Sequence, residues 1–257
     1  MRIVSIVPSL THLVCELGLR KALVGCTSYC VEPKGLHHEM TLVGGTKDPD
    51  IKAIGALKPT HILTNDEENR PEDIAALANQ ALIIRSFPRG PEDVPAMVRA
   101  VGAALGVSDK AEALAAASDR AIIEIAGGRD IARQGPRRFL YFIWNKPLMV
   151  AGRDTYIGRL LELAGLMNAA PEGGRYPELT LAEVQGLGAE LLFLASEPYP
   201  FRNRDAARLK SEWPEIPPMF KIDGRLMSWH GPMTLTAITE LKKWIEGAPT
   251  HLITPIA

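Results

Sequence analysis

The sequence predicts an α/β protein of two Rossmann-like lobes, each built on a mostly parallel sheet, bridged by one long helix. Three observations predict it. Short apolar runs alternate with amphipathic stretches along the chain, as parallel strands do with their crossover helices. One phrase occurs twice: Ile51, Ile54, Leu57, Ile62 and Leu63 recur 130 residues later as Leu181, Val184, Leu187, Leu192 and Phe193, the mark of two similar halves. Between the two phrases lies Ser108–Ala126, with Ala111, Leu114, Ala115, Ser118, Ala121, Ile122 and Ile125 on one helical face. Ser108 suits its N-cap, Asp109 suits the positive end of its dipole, and Gly127-Gly128 stops it. Such a helix would be roughly 28 Å long, close to the width of a small domain. The expected division is a first lobe over 1–107, a backbone helix over 108–127 and a second lobe over 128–257.

In the first lobe, Arg2–Val7 is a buried strand ended by Pro8-Ser9, and a helix follows to Gly18. Ala22–Cys26 is a second strand, and Tyr29 to His38 is a loop. Ile51, Ile54 and Leu57 lie at helical spacing, and Pro59 follows. His61–Thr64 is a strand, and Asn65–Arg70 is a polar loop at its end. Pro71 opens a helix through Ala78. Leu82–Ile84 is a strand and Pro91–Leu105 a helix. Beyond the long helix the pattern restarts. Arg138–Ile143 is a strand, Leu148–Val150 is extended, Thr155–Ala164 is a helix, and Leu181–Leu187 then Glu190–Leu194 repeat the helix-to-strand phrase. Asp223–Trp229 reads as the last strand and turn, and Leu235–Ile245 as the closing helix.

Composition bounds function. A hydrophobic share of 46% with a mean hydropathy of +0.01 describes a soluble globular chain. A net charge of −1 argues against a nucleic-acid binder. No apolar run reaches the roughly 20 residues of a membrane span. Met1-Arg2 leads straight into the first strand, so no signal peptide is visible. The chain as it stands is expected in the cytoplasm, or in the periplasm if a leader has been removed. Cys15, Cys26 and Cys30 cannot all pair with one another, which favours a reducing compartment. The pattern assigns no role to His12, Cys26 or Cys30.

Ligands of parallel α/β sheets sit beyond the carboxyl ends of the strands, and a cleft between two lobes is the expected site. Aromatic residues fall in the strand-end loops: Tyr29, Phe87, Trp144, Tyr156, Tyr176, Tyr199, Phe201 and Trp229. Together they would make a stacking surface for a large, flat, partly apolar ligand; each could also plug its own lobe. Tyr141, Phe142 and Phe193 fall inside strands and read as core, and Trp213 and Trp244 as packing. The sequence holds no GxGxxG, GxxxxGK[ST] or GxSxG phrase. His37-His38-Glu39 lacks metal-ligand spacing, so no resident metal or cofactor is expected. His230, in a Gly-Pro turn, could ligate a metal carried by a ligand or serve as a capping residue.

Arg2–Ser9 (RIVSIVPS), Leu17-Gly18, Val24-Gly25, Tyr29, Val43-Gly44-Gly45, Ile54–Leu63 (IGALKPTHIL), Tyr176-Pro177, Thr180–Val184 and Trp229–Pro232 (WHGP) resemble the helical-backbone periplasmic binding proteins, closest to the vitamin B12-binding branch. The resemblance implies a substrate-binding protein, not an enzyme. It would hold a corrinoid or related metal chelate between its lobes for an ABC-type importer. By position, Pro8, Tyr29, Asn65, Trp144, Tyr176, Trp229 and His230 would contact the ligand, and Glu72 and Glu183 would dock a permease. It further implies a monomer that does not span the membrane. His12 stands where the family has an acidic residue. Two other readings remain open. One is a tetrapyrrole metal chelatase, with His61 and Asp66 or His230 and Glu197 moving the protons. The other is a cytoplasmic module that acts through protein partners.

Overall fold

The computed structural model describes residues 1–127 and 137–256, without the side chain of His37. The helix stop expected at Gly128 and the start of the expected second lobe lie outside the described residues. In chain order the elements are β1 (Ile3–Ser5), α1 (Pro8–Glu16), β2 (Leu23–Cys26), β3 (Thr41–Leu42), α2 (Ile51–Ala56), β4 (His61–Asn65), α3 (Pro71–Leu77), β5 (Leu82–Ser86), α4 (Val94–Ala104) and α5 (Ser108–Gly127). There follow β6 (Arg138–Trp144), β7 (Leu148–Val150), α6 (Tyr156–Leu163), β8 (Met167–Asn168), β9 (Glu178–Leu179), α7 (Leu181–Gly186), β10 (Leu191–Ala195), α8 (Asn203–Glu212), β11 (Met219–Ile222), α9 (Gly224–Ser228), α10 (Pro232–Ile245) and β12 (Ile253–Pro255).

The chain forms two compact units. The first is Met1–Pro88, Asp93–Ala117 and Trp229–Pro232; the second is Arg89–Glu92, Ser118–Ser228 and Met233–Ala257. The first unit holds an all-parallel sheet in the order β3-β2-β1-β4-β5. The second holds a mixed sheet in the order β12-β11-β10-β6-β7-β9, with β8 also on β6. There β11, β10, β6 and β8 pair in parallel, while β12, β7 and β9 run antiparallel to their neighbours. This is the α/β class the sequence predicts. The central strands are apolar because helices cover both faces: Leu191–Ala195 are buried throughout. The cores form around Val4, Ile6, Ile54 and Ile62 in the first unit, and around Leu140, Phe142, Val184 and Leu192 in the second. Tyr141, Phe142 and Phe193 are core as expected, and Trp244 packs edge-on against Phe193 with centroids 5.8 Å apart.

The repeated phrase is a repeated structure. α2 and α7 begin 130 residues apart, as do β4 and β10. Asp50 and Thr180 are the matching N-caps, each accepting from backbone N–H groups of its helix. The residue after each C-cap adopts the left-handed conformation, Lys58 at φ 48° and Gly188 at φ 62°. An arginine then reaches back to each helix end. Arg2 Nε donates to Leu57 O at 2.8 Å, while Arg138 donates to Leu187 O at 2.7 Å and Gly188 O at 3.1 Å. The backbone completes the clasp: Thr60 N donates to Arg2 O and Glu190 N to Arg138 O, both at 2.8 Å. Arg2 N in turn donates to Thr60 Oγ1 at 2.9 Å, and Arg138 N to Glu190 Oε2 at 2.8 Å.

α5 presents the face read from its spacing. Ala111, Ala115, Ser118 and Ile125 are buried, and Leu114, Ala121 and Ile122 are half-buried. In the first unit α4 passes close to it at Gly102, where a Cβ would lie 2.1 Å from that of Ala111. Arg99 and Glu112 clamp the same pair of helices through two hydrogen bonds of 2.7 and 2.8 Å. One element differs from the expectation. Residues 223–229 are not a strand: the strand is β11, and Gly224–Ser228 form the short helix α9, whose start is capped by Asp223 Oδ1 accepting from Arg225 N at 2.9 Å.

The left-handed position makes a clean test. A Cβ at Gly188 meets nothing within 4 Å, so Gly188→Ala carries backbone strain alone and is expected to cost about 1 kcal/mol. Lys58→Gly removes the same strain and is expected to stabilise by less, because glycine also frees the unfolded chain. Urea midpoints that do not move in these opposite directions would refute the equivalence of the two turns.

Candidate functional site

The predicted ligand residues of the first unit lie at the carboxyl ends of its strands. Pro8 occupies the first turn of α1 and is buried. Its neighbour Ser9 places its hydroxyl 3.2 Å from His230 Nε2, with both residues buried. That bond brings the Trp229–Pro232 segment against the start of α1, and Trp229 is itself only 8% exposed. Tyr29 follows β2 and is 61% exposed. Its ring lies over Gly45, where a Cβ would sit 3.3 Å from Cε2.

Asn65 ends β4 with its side chain turned inward. Its Oδ1 accepts from Glu67 N and Glu68 N at 2.9 and 3.2 Å, and its Nδ2 donates to Ser86 Oγ at 3.2 Å. Asn69, unremarked in the sequence, knits the same rim. Its Nδ2 donates to Ile6 O at 3.2 Å and Thr46 O at 2.9 Å, and its Oδ1 accepts from Asn65 N at 2.8 Å. Asp66 is held by Arg85 through two bonds of 3.0 Å. Beside this pair lies an open groove of about 310 Å³ lined by Asn69, Pro71, Ile74 and Ile83. None of the predicted ligand residues lines it.

In the second unit Trp144 ends β6 and is 40% exposed. Its Nε1 donates to Lys146 O at 3.1 Å, and its ring meets Tyr199 edge-on with centroids 5.6 Å apart. Beneath them is a polar network that sequence reasoning missed. Asn145 Nδ2 donates to Asp205 Oδ1 at 3.1 Å and to Tyr199 OH at 3.2 Å, while its Oδ1 accepts from Arg208 at 2.6 Å. The other oxygen of Asp205 accepts from Arg202 N at 2.8 Å. The available signal was Asp205 at the third position of a helix, but α8 has only Ala206 and Leu209 as buried apolar residues. Tyr176 is half-buried, with the Arg175 guanidinium 6.0 Å from its ring centroid. Its loop packs on Gly152, where a Cβ would lie 2.3 Å from Gly174 O.

The remaining candidates separate. Glu72 is exposed in the first turn of α3. Glu183 is the third residue of α7 and closes a capping box, accepting from Thr180 N and Oγ1 at 2.7 Å; these bonds lower its pKa. Glu72 is the second residue of α3, and Arg204 holds the same position in α8. His61 begins β4 and bonds Thr60 Oγ1 at 2.8 Å, whereas Asp66 lies beyond the strand's other end. Five residues of strand put roughly 16 Å between their backbones, so this chelatase pair is not assembled. His12 is half-buried with Nδ1 unpartnered in the described structure; burial lowers its pKa against the opposing pull of Glu16 and Glu32. Among the described residues no group of three metal-ligating side chains converges, and no helix is long and apolar enough to cross a membrane.

Residues 3–207 match the family described as periplasmic binding protein. The chain belongs to that family. Solved structures of similar fold include the periplasmic heme-binding protein RhuT from Roseiflexus sp. RS-1 in apo form, at 22% identity and TM-score 0.79, covering 96% of this chain and 98% of that one. A periplasmic heme-binding protein from Pseudomonas aeruginosa matches at 22% identity and TM-score 0.83, over 100% of this chain and 98% of its own. The periplasmic vitamin B12-binding protein BtuF of Vibrio cholerae matches at 20% identity and TM-score 0.77, over 95% and 96%. No curated protein matches at the level of sequence. Periplasmic binding proteins thus supply the fold on which these strand-end loops are mounted.

The network under Trp144 gives a testable consequence. Asn145→Ala removes a donor from buried Asp205 and an acceptor from Arg208, and is expected to cost about 1–3 kcal/mol. It should also alter the near-ultraviolet circular dichroism of the Trp144–Tyr199 pair. An unchanged midpoint and spectrum would show that Trp144 is held by other contacts.

Proposed function

We propose that this periplasmic binding protein is the receptor for a corrinoid or a related metal chelate such as haem, held by the strand-end loops and delivered to an ABC-type importer. One observation carries the reading. The large aromatic rings exposed among the described residues are Tyr29 at 61%, Phe87 at 41% and Trp144 at 40%, and each lies at the carboxyl end of a strand. Exposed rings of this size cost hydration free energy, and stacking on a flat, partly apolar ligand recovers it. Tyr176 with its arginine, and Trp229 with His230 on α1, would extend the aromatic surface. Binding calls for no catalytic dyad and no resident cofactor. The relatives described as binding heme or vitamin B12 support the same ligand class. Glu72 and Glu183 are the proposed permease contacts, Glu183 with its carboxylate partly engaged by its own helix cap.

Titration calorimetry of the full chain with cyanocobalamin, hemin and a ferric siderophore is the test. Saturable binding of one chelate per chain is expected. Trp144→Ala and Tyr29→Ala should each weaken it by about tenfold or more, or roughly 1.4 kcal/mol. Binding to none of the three, or affinity unchanged in both variants, would overturn the reading.

A further inference from the structure

We propose that Cys26 and Cys30 form an oxidisable thiol pair, with Cys30 the reacting sulfur and Cys26 the resolving one, that closes a disulfide around the Tyr29 turn. The two cysteines flank Thr27-Ser28-Tyr29 at the carboxyl end of β2. The turn is folded back by Cys30 N donating to Thr27 O at 3.1 Å, which places the two cysteines on either side of it. Both are buried. Around Cys30 Sγ stand the hydroxyls of Thr11 at 3.1 Å and Thr27 at 3.2 Å.

The protons of this cluster can be followed one by one. Thr11 Oγ1 also donates to Val7 O at 2.9 Å. While it does so, the hydrogen between Thr11 and Cys30 belongs to the thiol. Val7 O is oversupplied, because it also accepts from Thr11 N at 2.9 Å and Ser5 Oγ at 3.0 Å. When Cys30 loses its proton, the Thr11 hydroxyl can turn to the sulfur and leave Val7 O still satisfied. With that hydrogen accounted for, Thr27 O–H is the donor in its 3.2 Å contact with the same atom. Two hydroxyl donors can therefore converge on a buried sulfur that would otherwise resist ionisation. The shifts agree in direction: the Cys26 hydrogen bond, first, and the two threonines hold the Cys30 pKa below the ordinary thiol value, while Cys26 is pushed up. Cys15 is the most exposed of the three, yet burial pushes its thiol to about 11.

The reaction with hydrogen peroxide balances. The Cys30 thiolate attacks one peroxide oxygen, the O–O bond breaks, and the departing hydroxide takes up the Cys30 proton as water. The product is a sulfenic acid. Cys26 sulfur then attacks Cys30 sulfur, the S–O bond breaks, and hydroxide leaves with the Cys26 proton as a second water. Two thiols and one peroxide become one disulfide and two waters. The ring so closed contains Tyr29, and any effect on chelate affinity rests on the function proposed above. The disulfide itself does not, so a failure to bind chelates leaves the thiol chemistry intact.

The test is peroxide treatment of the folded full chain, followed by alkylation in denaturant and peptide mass spectrometry. The expected product is a Cys26–Cys30 cross-link with Cys15 still alkylated. In Cys26→Ser the Cys30 sulfenic acid should accumulate and be trapped by dimedone. Thr27→Val and Thr11→Val should each slow Cys30 oxidation by about tenfold, since the rate follows the thiolate fraction. Circular dichroism identifies variants that fold. Accessibility alone predicts the reverse order of reactivity, so oxidation of Cys15 before Cys30 would overturn the proposal. So would three free thiols in the native chain under conditions that oxidise the unfolded one.

Discussion

An arginine at the start of a central strand, Arg2 just before β1 and Arg138 first in β6, reaches back to the carbonyls that end the helix before the neighbouring strand and ties each unit together. α2 and α7 are six residues long, too short to persist on their own propensity. Their last carbonyls have no partner within the helix. Arg2 and Arg138 supply one with a charged donor, and the backbone bonds from Thr60 and Glu190 then fix where β4 and β10 start beside β1 and β6. A slip of one residue would exchange the side chains between the two covered faces of the sheet and break the packing on both. The clasp therefore sets the register of both sheets, and the register sets which residues emerge at the far ends.

What emerges there is held rather than left loose. Tyr29 rests on a glycine, and Trp144 stands against Tyr199 above the Asn145–Asp205–Arg208 network. Asn65 and Asn69 use their amides on loop backbone. Buried amides and carboxylates are costly unless fully bonded, so loops built this way have few alternative conformations. A ring immobilised beforehand loses little entropy when a ligand stacks on it. Asn65, Pro8 and Trp229 are buried beneath these rims, and Tyr29 and Trp144 stand exposed on them.

Much of this fold was legible because apolar spacing reports burial directly. The repeated phrase located both helix-to-strand units, and the face of α5 followed from its alanines and isoleucines. α8 escaped because Asn203–Glu212 is polar almost throughout and buries little beyond Ala206, Leu209 and the capping Asp205. The strand expected over 223–229 failed because Asp223 caps a helix start, a local bond that overrides the extended propensity of its neighbours. The strand-end aromatics could be named from sequence, yet their exposure could not. Trp144 and Trp229 look alike in a sequence, but one is 40% exposed and the other 8%. The Asn145 network joins residues some sixty positions apart, and no local pattern reports such a partnership.

The two units agree where backbone bonds must be made and differ where side chains are free to vary. Thr60 and Glu190 are chemically unlike, yet each accepts the N–H of the clasping arginine through a side-chain oxygen. Lys58 and Gly188 share a left-handed turn, one with strain and one without. Glu72 and Arg204, in contrast, occupy matching helix positions with opposite charge, and the first unit has an all-parallel sheet where the second has a mixed one. A duplicated scaffold constrains the bonds that set register and releases the rims. Each rim then acquires its own chemistry: a tyrosine turn bracketed by two thiols in one unit, and a tryptophan braced by a carboxylate–amide–guanidinium network in the other.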